Sequence, residues 1–373
     1  MSLLFFGDVH YGLKSYSTVD SDGKYTAELD CMNALETIYE RCKQPDIEII
    51  IMGGDFFHQP NNTSLNIKSV IFWFNKMEAL NKKFILIPGN HDTSSYANSL
   101  IFIKELGYRN IHLIEKYNKD FFVQFGKYKI FFVPYELNSS SKEKDTLLYS
   151  NINECMEQVG DNSIIVSHLQ ESSCRIGSEK IMISKSVSSI DANTNKNIIM
   201  LLSHIHLQQK YMKGSTTVCY SGSINCSDVS DTGIDKGYVL INENGEITFE
   251  PILNIRKFIK HVLTKEEDVI EYFQNKRLPV SSVNFLEHVE DFDITKLTEI
   301  FKSKEVMLGW AHKIKENKSI DKIEISTETK DNYSMFNEYI NKKYELNPEL
   351  KYKDDIINEG TKFINNHIGQ NYE

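Results

Sequence analysis

Five short apolar runs in this chain each stop at a cluster of histidine, aspartate or asparagine. Ser2 to Phe6 runs into Gly7-Asp8-Val9-His10, Ile47 to Met52 into Gly53-Gly54-Asp55-Phe56-Phe57-His58, and Phe84 to Ile87 into Pro88-Gly89-Asn90-His91-Asp92. Further on, Ile164 to Val166 ends at Ser167-His168, and Ile198 to Leu202 at Ser203-His204-Ile205-His206. Between the first three runs, Leu29, Met32, Leu35, Ile38, Tyr39 and Cys42, and then Leu65 to Leu80, are apolar at helical spacing. The order is β-α-β-α-β. Uninterrupted apolar strands are those buried on both faces of a mostly parallel sheet, where ligands collect at the carboxyl ends of the strands. The polar clusters stand at those ends, in what reads as an α/β protein.

After residue 110 the pattern changes to hairpins. Phe121 to Phe125 and Lys129 to Val133 flank Gly126-Lys127, and Tyr238 to Ile241 and Glu246 to Glu250 flank Asn244-Gly245. Ser139 to Ser141 and the stretch from Ser172 to Asn197 read as loops. From Arg256 the pattern is strand (256–263), helix (265–275), strand (280–287), helix (294–301) and strand (306–314), a small α+β unit. Residues 315–330 are charged and linker-like, with a short strand expected at 323–326. Two helical patterns follow, Tyr333/Phe336/Ile340 and Ile356/Ile357/Gly360/Phe363/Ile364, separated by a segment with Pro348. Three domains are expected, at 1–255, 256–330 and 331–373.

The formal charge is -10, from 42 basic and 52 acidic residues, which excludes a nonspecific polycation. Any nucleic-acid contact must come from local patches or bound metal. Six scattered cysteines without a CxxC pair indicate neither a disulfide framework nor a zinc ribbon and fit a reducing compartment. No basic leader or apolar run of membrane-spanning length is present, so an intracellular, cytoplasmic protein is expected.

Six of the eleven histidines (His10, His58, His91, His168, His204 and His206) sit at or just after the apolar runs, beside Asp8, Asp55, Asn90 and Asp92. A single histidine at such a place is more often structural than a ligand. Five strand ends with the same chemistry reverse that weighting. Imidazole, carboxylate and amide oxygen without thiolate suit divalent ions such as manganese or iron, and a carboxylate between two ligand sets can bridge two of them. Two ions about 3.5 to 4 Å apart clamp the attacking and leaving oxygens of a phosphoryl centre. The expected chemistry is phosphoester hydrolysis.

The ordered blocks GDVH, GGDFFH, GNHD, SHLQ and SHIH resemble the calcineurin-like metallophosphoesterase superfamily. Within it, GDFFH and the segment from CYSGSIN through DKGYVLINENGEITFEPI are similar to the DNA-repair nuclease branch, the SbcD and meiotic-recombination nucleases. The overall length is similar to that of the T4-type phage recombination nuclease subunit, which makes a phage or large virus one conceivable source. The resemblance implies an αββα sandwich with a small α+β capping domain and a C-terminal helix pair. It implies a metal-dependent DNA exonuclease and endonuclease. Metal one would be held by Asp8, His10, Asp55 and His206, and metal two by Asp55, Asn90, His168 and His204, with Asp55 bridging. The ions would be two manganese, with magnesium or iron(II) also fitting. His91 would be the transition-state stabiliser or general acid, held by Asp92, with His58 in a second phosphate-facing role. The implied partners are DNA, an SbcC-type ATPase of the structural-maintenance class bound through residues 331–373, and a second copy in a homodimer. Ser203 and Ser221 replace a usual glycine and proline, and neither change removes a ligand.

Several features have plainer readings. Trp73, with Phe72 and Phe74, reads as core packing rather than a base-stacking platform. Of Phe56 and Phe57, one is expected inside and the other at the site. Lys180, Lys185, Lys196, Lys210 and Lys213 read mostly as a solvated face, with a few available for phosphate contacts. The alternative function is a phosphomonoesterase or nucleotide phosphodiesterase of the same superfamily.

Overall fold

The computed structural model describes residues 1–20, 23–94, 98–136, 144–176, 181–182, 189–263, 267–279, 281–288, 291–313 and 341. The chain divides into two units, Met1–Lys313 and Ile314–Glu373. The expected linker and both terminal helical patterns belong to the second unit and lie outside the described residues, apart from Asn341. The same is true of Ser139 to Ser141 and of Lys180 and Lys185.

In chain order the first half comprises β1 (Ser2–Phe6), α1 (Thr26–Cys42), β2 (Ile47–Met52), α2 (Ser64–Glu78), β3 (Lys83–Leu86), α3 (Phe102–Glu105) and β4 (Ile111–Leu113). It continues through β5 (Val123–Phe125), β6 (Tyr128–Val133), α4 (Lys144–Gln158), β7 (Ser163–His168), β8 (Arg175–Ile176) and β9 (Ile181–Met182). The next strands are β10 (Ile198–Ser203), β11 (Gln209–Lys213), β12 (Thr216–Tyr220), β13 (Gly237–Asn242) and β14 (Ile247–Pro251). Two six-stranded sheets result, ordered β14-β13-β1-β2-β3-β4 and β11-β12-β10-β7-β6-β5.

Burial on both faces explains the unbroken apolar strands. Leu3, Phe5, Ile49, Ile51 and Ile85 point into the space between the sheets, against Ile130, Phe132, Ile164, Val166 and Leu201. Their neighbours Leu4, Phe6, Ile50, Met52 and Phe84 point the other way, beneath α1 and α2. The outer face of the second sheet is covered by Leu148, Ile152, Cys155 and Met156 of α4. The architecture is the expected αββα sandwich. Burying a large aliphatic or aromatic side chain contributes about 1.5–3 kcal/mol, so these two-sided strands are the main source of stability.

Both expected hairpins form, β5 with β6 and β13 with β14, and the second sheet has in addition a parallel centre. β6, β7, β10 and β12 run parallel, and only the edge strands β5 and β11 are antiparallel. The hairpin signals at Gly126 and Asn244-Gly245 mark the margins of the sheets. The parallel step from β6 to β7 requires a crossover, supplied by α4, whose mixed polar sequence hid it among loop-like residues.

Beyond the sandwich, β15 (Lys257–Leu263), α5 (Val269–Asn275), β16 (Ser282–His288), α6 (Ile294–Ser303) and β17 (Met307–Lys313) match the expected succession. The three strands are parallel in the order β15-β16-β17. Asp268 and Asp293 cap α5 and α6 by accepting first-turn backbone N–H groups. Phe273, Leu286, Leu297 and Phe301 form the core on the helix side. On the other side Phe258 and Phe285 pack with Tyr16 and Val229 of the sandwich, and Arg256 pairs with Asp30 at 2.6 Å.

All six cysteines are free thiols. Among the described residues no helix is long and apolar enough to cross a membrane.

Candidate metal centre

The sandwich brings all five strand ends to one edge, and there the chain takes an uncommon course. Asp8, His10, Asp55 and His204 have φ of 49°, 49°, 54° and 92°. Positive φ is uncommon outside glycine and costs free energy that neighbouring structure must offset. Four such residues at one edge show a backbone bent to aim side chains. Glycines make room for them: a Cβ on Gly89 would lie 2.2 Å from Asp55 Oδ1, and one on Gly54, itself at φ 106°, 2.6 Å from His168 Nδ1.

The side chains form three groups, one of them His10, His58 and His91 and the other two each containing a carboxylate. Ligand atoms of Asp8, His10 and His206 lie within 4.8 Å of one another, as do those of Asp55, His168 and His204. Asp55 stands between these last two groups, with Oδ2 3.3 Å from His168 Nε2 and 3.9 Å from His10 Nε2. Its other oxygen accepts the backbone N–H of His91 at 2.8 Å. Asn90 Oδ1 lies 3.0 Å from His168 Nε2 and 3.1 Å from His204 Nδ1. His168 Nδ1 lies 3.0 Å from the carbonyl of Gly53, a contact that assigns its hydrogen to Nδ1 and leaves the Nε2 lone pair for the site.

Two divalent ions fit this donor set. His10 Nε2 and His206 Nε2 face each other at 3.0 Å, while His10 Nδ1 is buried without a hydrogen-bond partner. Burial pushes the Asp8 carboxyl up to about 6, against the pull of the nearby imidazoles. Burial likewise pulls the His10 imidazole well below its usual range and takes His204 down to about 3. His168 and His206 move the other way, raised against burial by the carboxylates of Asp55 and Asp231, His168 to about 9, so a divalent cation binding here would displace protons.

His58 and His91 stand at the mouth. Their rings stack at 5.5 Å, and with His10, Asp55, His204, His206 and Ser227 they line a cleft of about 300 Å³. The expected support of His91 by Asp92 is not what the structure shows. The Asp92 carboxylate is fully buried and accepts the backbone N–H groups of Phe56, Phe57 and Gly89 at 3.2, 2.9 and 3.0 Å. His91 Nδ1 is instead 2.7 Å from the carbonyl of His58. Asp92 thus ties the β2 and β3 loops together, three donors being a larger attraction for a buried carboxylate than one imidazole.

Other expectations divide. Trp73 is buried, its Nε1 donating to the carbonyl of Leu35, but Phe72 beside it is 66% exposed. Phe56 and Phe57 are both fully buried, so neither lines the site. Lys196 donates to the carbonyls of Met156 and Glu157 at the end of α4, and Lys213 to Ser173, which are local structural roles. Ser203 fits where Gly7 and Gly53 leave space: a Cβ on either would come within 2.3 Å of its hydroxyl. The sequence reading missed Ser227, Asp231 and Lys236, which lie behind His206. Their signal was a capping pattern on a short turn, Asp228 to Asp231, with no apolar run to mark it.

Comparison with known proteins accords with this geometry. Residues 1–221 match the family described as calcineurin-like phosphoesterase. The chain is 24% identical over 390 residues to the DNA double-strand break repair protein Mre11 of Nanoarchaeum equitans, covering 95% of this chain and 98% of the relative. It is 24% identical over 124 residues to the protein of the same name from Saccharolobus solfataricus, covering 33% of this chain and 31% of that one. A solved dimetal phosphatase from Danio rerio overlaps 68% of this chain and 96% of its own at 10% identity and a TM-score of 0.42. Low-identity similarity to the two repair proteins is consistent with the DNA-repair nuclease branch, and the family match over more than half the residues, together with two ligand groups at the strand ends of an αββα sandwich, makes this chain a member of the calcineurin-like phosphoesterase family.

Proposed function

We propose that this protein is the nuclease subunit of a DNA double-strand-break repair and recombination complex, hydrolysing DNA phosphodiester bonds as an exonuclease and endonuclease with two manganese ions. The observation that carries the reading is Asp55 standing between two ligand groups beneath a cleft edged by His58 and His91. Similarity along 95% of the chain to a protein named for DNA double-strand break repair favours DNA as the substrate.

In this reading Asp8, His10, Asp55 and His206 hold metal one, and Asp55, Asn90, His168 and His204 hold metal two. Bound there, the ions supply positive charge opposite a phosphodiester and acidify water. The chain's own residues do the rest. Gly53 fixes the tautomer of His168, the backbone N–H of His91 orients Asp55, and the carbonyl of His58 orients His91. With Nδ1–H on that carbonyl, Nε2 of His91 is left for the cleft, where the ring as its imidazolium would give the Nε2 proton to a leaving oxygen or offset charge on the phosphate. His58 stacks beside it as a second phosphate-facing group.

Residues 256–330 would cap the nuclease domain of residues 1–255 and contact DNA. Residues 331–373 would dock an SbcC-type ATPase, because their apolar stripes are too small to form a core of their own. A homodimer completes the proposed assembly.

The direct test is incubation with manganese and labelled single- and double-stranded DNA, with and without a candidate ATPase. Cleavage supports the reading. Hydrolysis of nitrophenyl phosphoesters with intact DNA would instead favour a phosphomonoesterase or nucleotide phosphodiesterase.

A further inference from the structure

Behind His206 lies a chain of buried polar groups that the chemistry above leaves unused. Lys236 and Asp231 are 3% and 1% exposed. Lys236 Nζ donates to Asp231 Oδ1 at 2.5 Å and to Ser223 Oγ at 2.8 Å, and lies 3.4 Å from the carbonyl of His206. The other Asp231 oxygen accepts from the backbone N–H groups of Ser227 and Asp228 at 2.8 and 3.1 Å and from the Ser227 hydroxyl at 3.0 Å. Ser227 Oγ is also 3.1 Å from His206 Nδ1.

Proton accounting fixes the direction of every bond. An ionised carboxylate only accepts, so the single hydroxyl hydrogen of Ser227 is committed to Asp231. Toward His206 the hydroxyl offers only a lone pair, and the hydrogen between them belongs to Nδ1. The Nε2 lone pair then faces His10 Nε2 and the first ligand group. Lys236 supplies the charge that keeps Asp231 ionised away from water, for a buried carboxylate without a partner would be strongly disfavoured.

We infer that Ser227, Asp231 and Lys236 are positioning residues that set the tautomer and tilt of His206, making the affinity of metal one, and not of metal two, depend on them. The inference rests on the two-metal reading of the site. Groups that orient metal-binding histidines are commonly worth about 10- to 100-fold in metal affinity. Among the described residues no equivalent chain of side chains backs the ligands assigned to metal two, where His168 leans on the Gly53 carbonyl.

The test is calorimetric titration of manganese into the full chain and its variants, with thermal unfolding recorded alongside. The wild type should bind two ions. Ser227→Ala, which removes one hydroxyl and little packing, should weaken one of them about 10- to 100-fold and leave the other within about twofold. Ser227→Thr, which restores the hydroxyl, should recover the loss. Asp231→Asn should act at least as strongly as Ser227→Ala. In an Asp8→Ala background, Ser227→Ala should change nothing further, which identifies the weakened site as metal one. Unchanged affinities with only a lower melting temperature would show that these residues merely pin the turn, and would overturn the inference. Equal weakening of both ions would overturn it too. A wild type that binds at most one ion would remove the two-metal reading first, a result visible without any variant.

Discussion

The carboxylate of Asp8 accepts the backbone N–H of His204 through both of its oxygens, each at 3.0 Å. The two residues are 196 positions apart, and each sits at positive φ just past the end of its strand, Asp8 after β1 and His204 after β10. This one contact therefore joins the edges of the two sheets at the place where the two ligand groups meet. Asp8 is a candidate ligand and also a clasp.

Removing that clasp should differ from removing the bridge. Asp8→Ala should lose one ion and lower stability by about 1–3 kcal/mol, because the His204 N–H is left without its acceptor. Asp55→Ala should lose both ions. Metal content after manganese soaking and desalting distinguishes the cases, and two ions retained by Asp55→Ala would remove its bridging role.

His91→Ser should keep both ions, since His91 lies outside both Asp-containing ligand groups. Its rate of DNA cleavage should fall by about 10²- to 10⁴-fold, the usual worth of a general acid-base group. Cleavage at the wild-type rate by this variant, measured under single-turnover conditions, would sink the assignment.

Gly89→Ala tests the close approach of the β3 loop to Asp55. The new methyl would sit 2.2 Å from Asp55 Oδ1 and 2.5 Å from its backbone nitrogen, so the carboxylate or the loop must move. A destabilisation of about 1–3 kcal/mol is expected, as for other overpacked sites, together with reduced metal occupancy. Denaturant unfolding of the metal-free protein and metal analysis read the two effects separately.

The pH response of the β15–β17 unit should show His261. Burial pulls this imidazole below its ordinary range, despite its 2.8 Å bond to Asn284 Oδ1. Because the folded value is the lower one, the unfolded chain takes up the proton first as pH falls below about 6.5. The contribution of His261 is fully present above that pH and is lost below it, down to the folded value. Urea midpoints at pH 7.5 and pH 5 should therefore lie closer together in His261→Gln than in the wild type.

Deleting residues 331–373 should leave a folded chain that binds two ions and no longer co-purifies with its ATPase. Unfolding of the truncated protein, or full ATPase binding by it, would show that this segment serves the core instead.

The sequence by itself determined the strands and the chemistry carried at their ends. A strand buried on both faces must be apolar throughout, so β1, β2, β3, β7 and β10 stand out, and each polar cluster that follows is conspicuous by contrast. The succession from β15 to β17 was legible on a different ground, its alternating periods of two and 3.6. Only the tertiary structure decided what depends on residues distant in the chain. It set the parallel centre of the second sheet, because α4 gains its apolar face only by packing on Ile165 and Met200. It gave Asp92 to three backbone N–H groups instead of His91, since burial rewards the partner set with most donors. It bent Asp8, His10, Asp55 and His204 into positive φ, a strain no local propensity favours and which contacts between the sheet edges must offset. It also set Lys236 and Asp231 behind His206, because the hydrogen bonds that make a buried charge pair tolerable exist only once the turn from Ser227 to Asp231 has packed against the site.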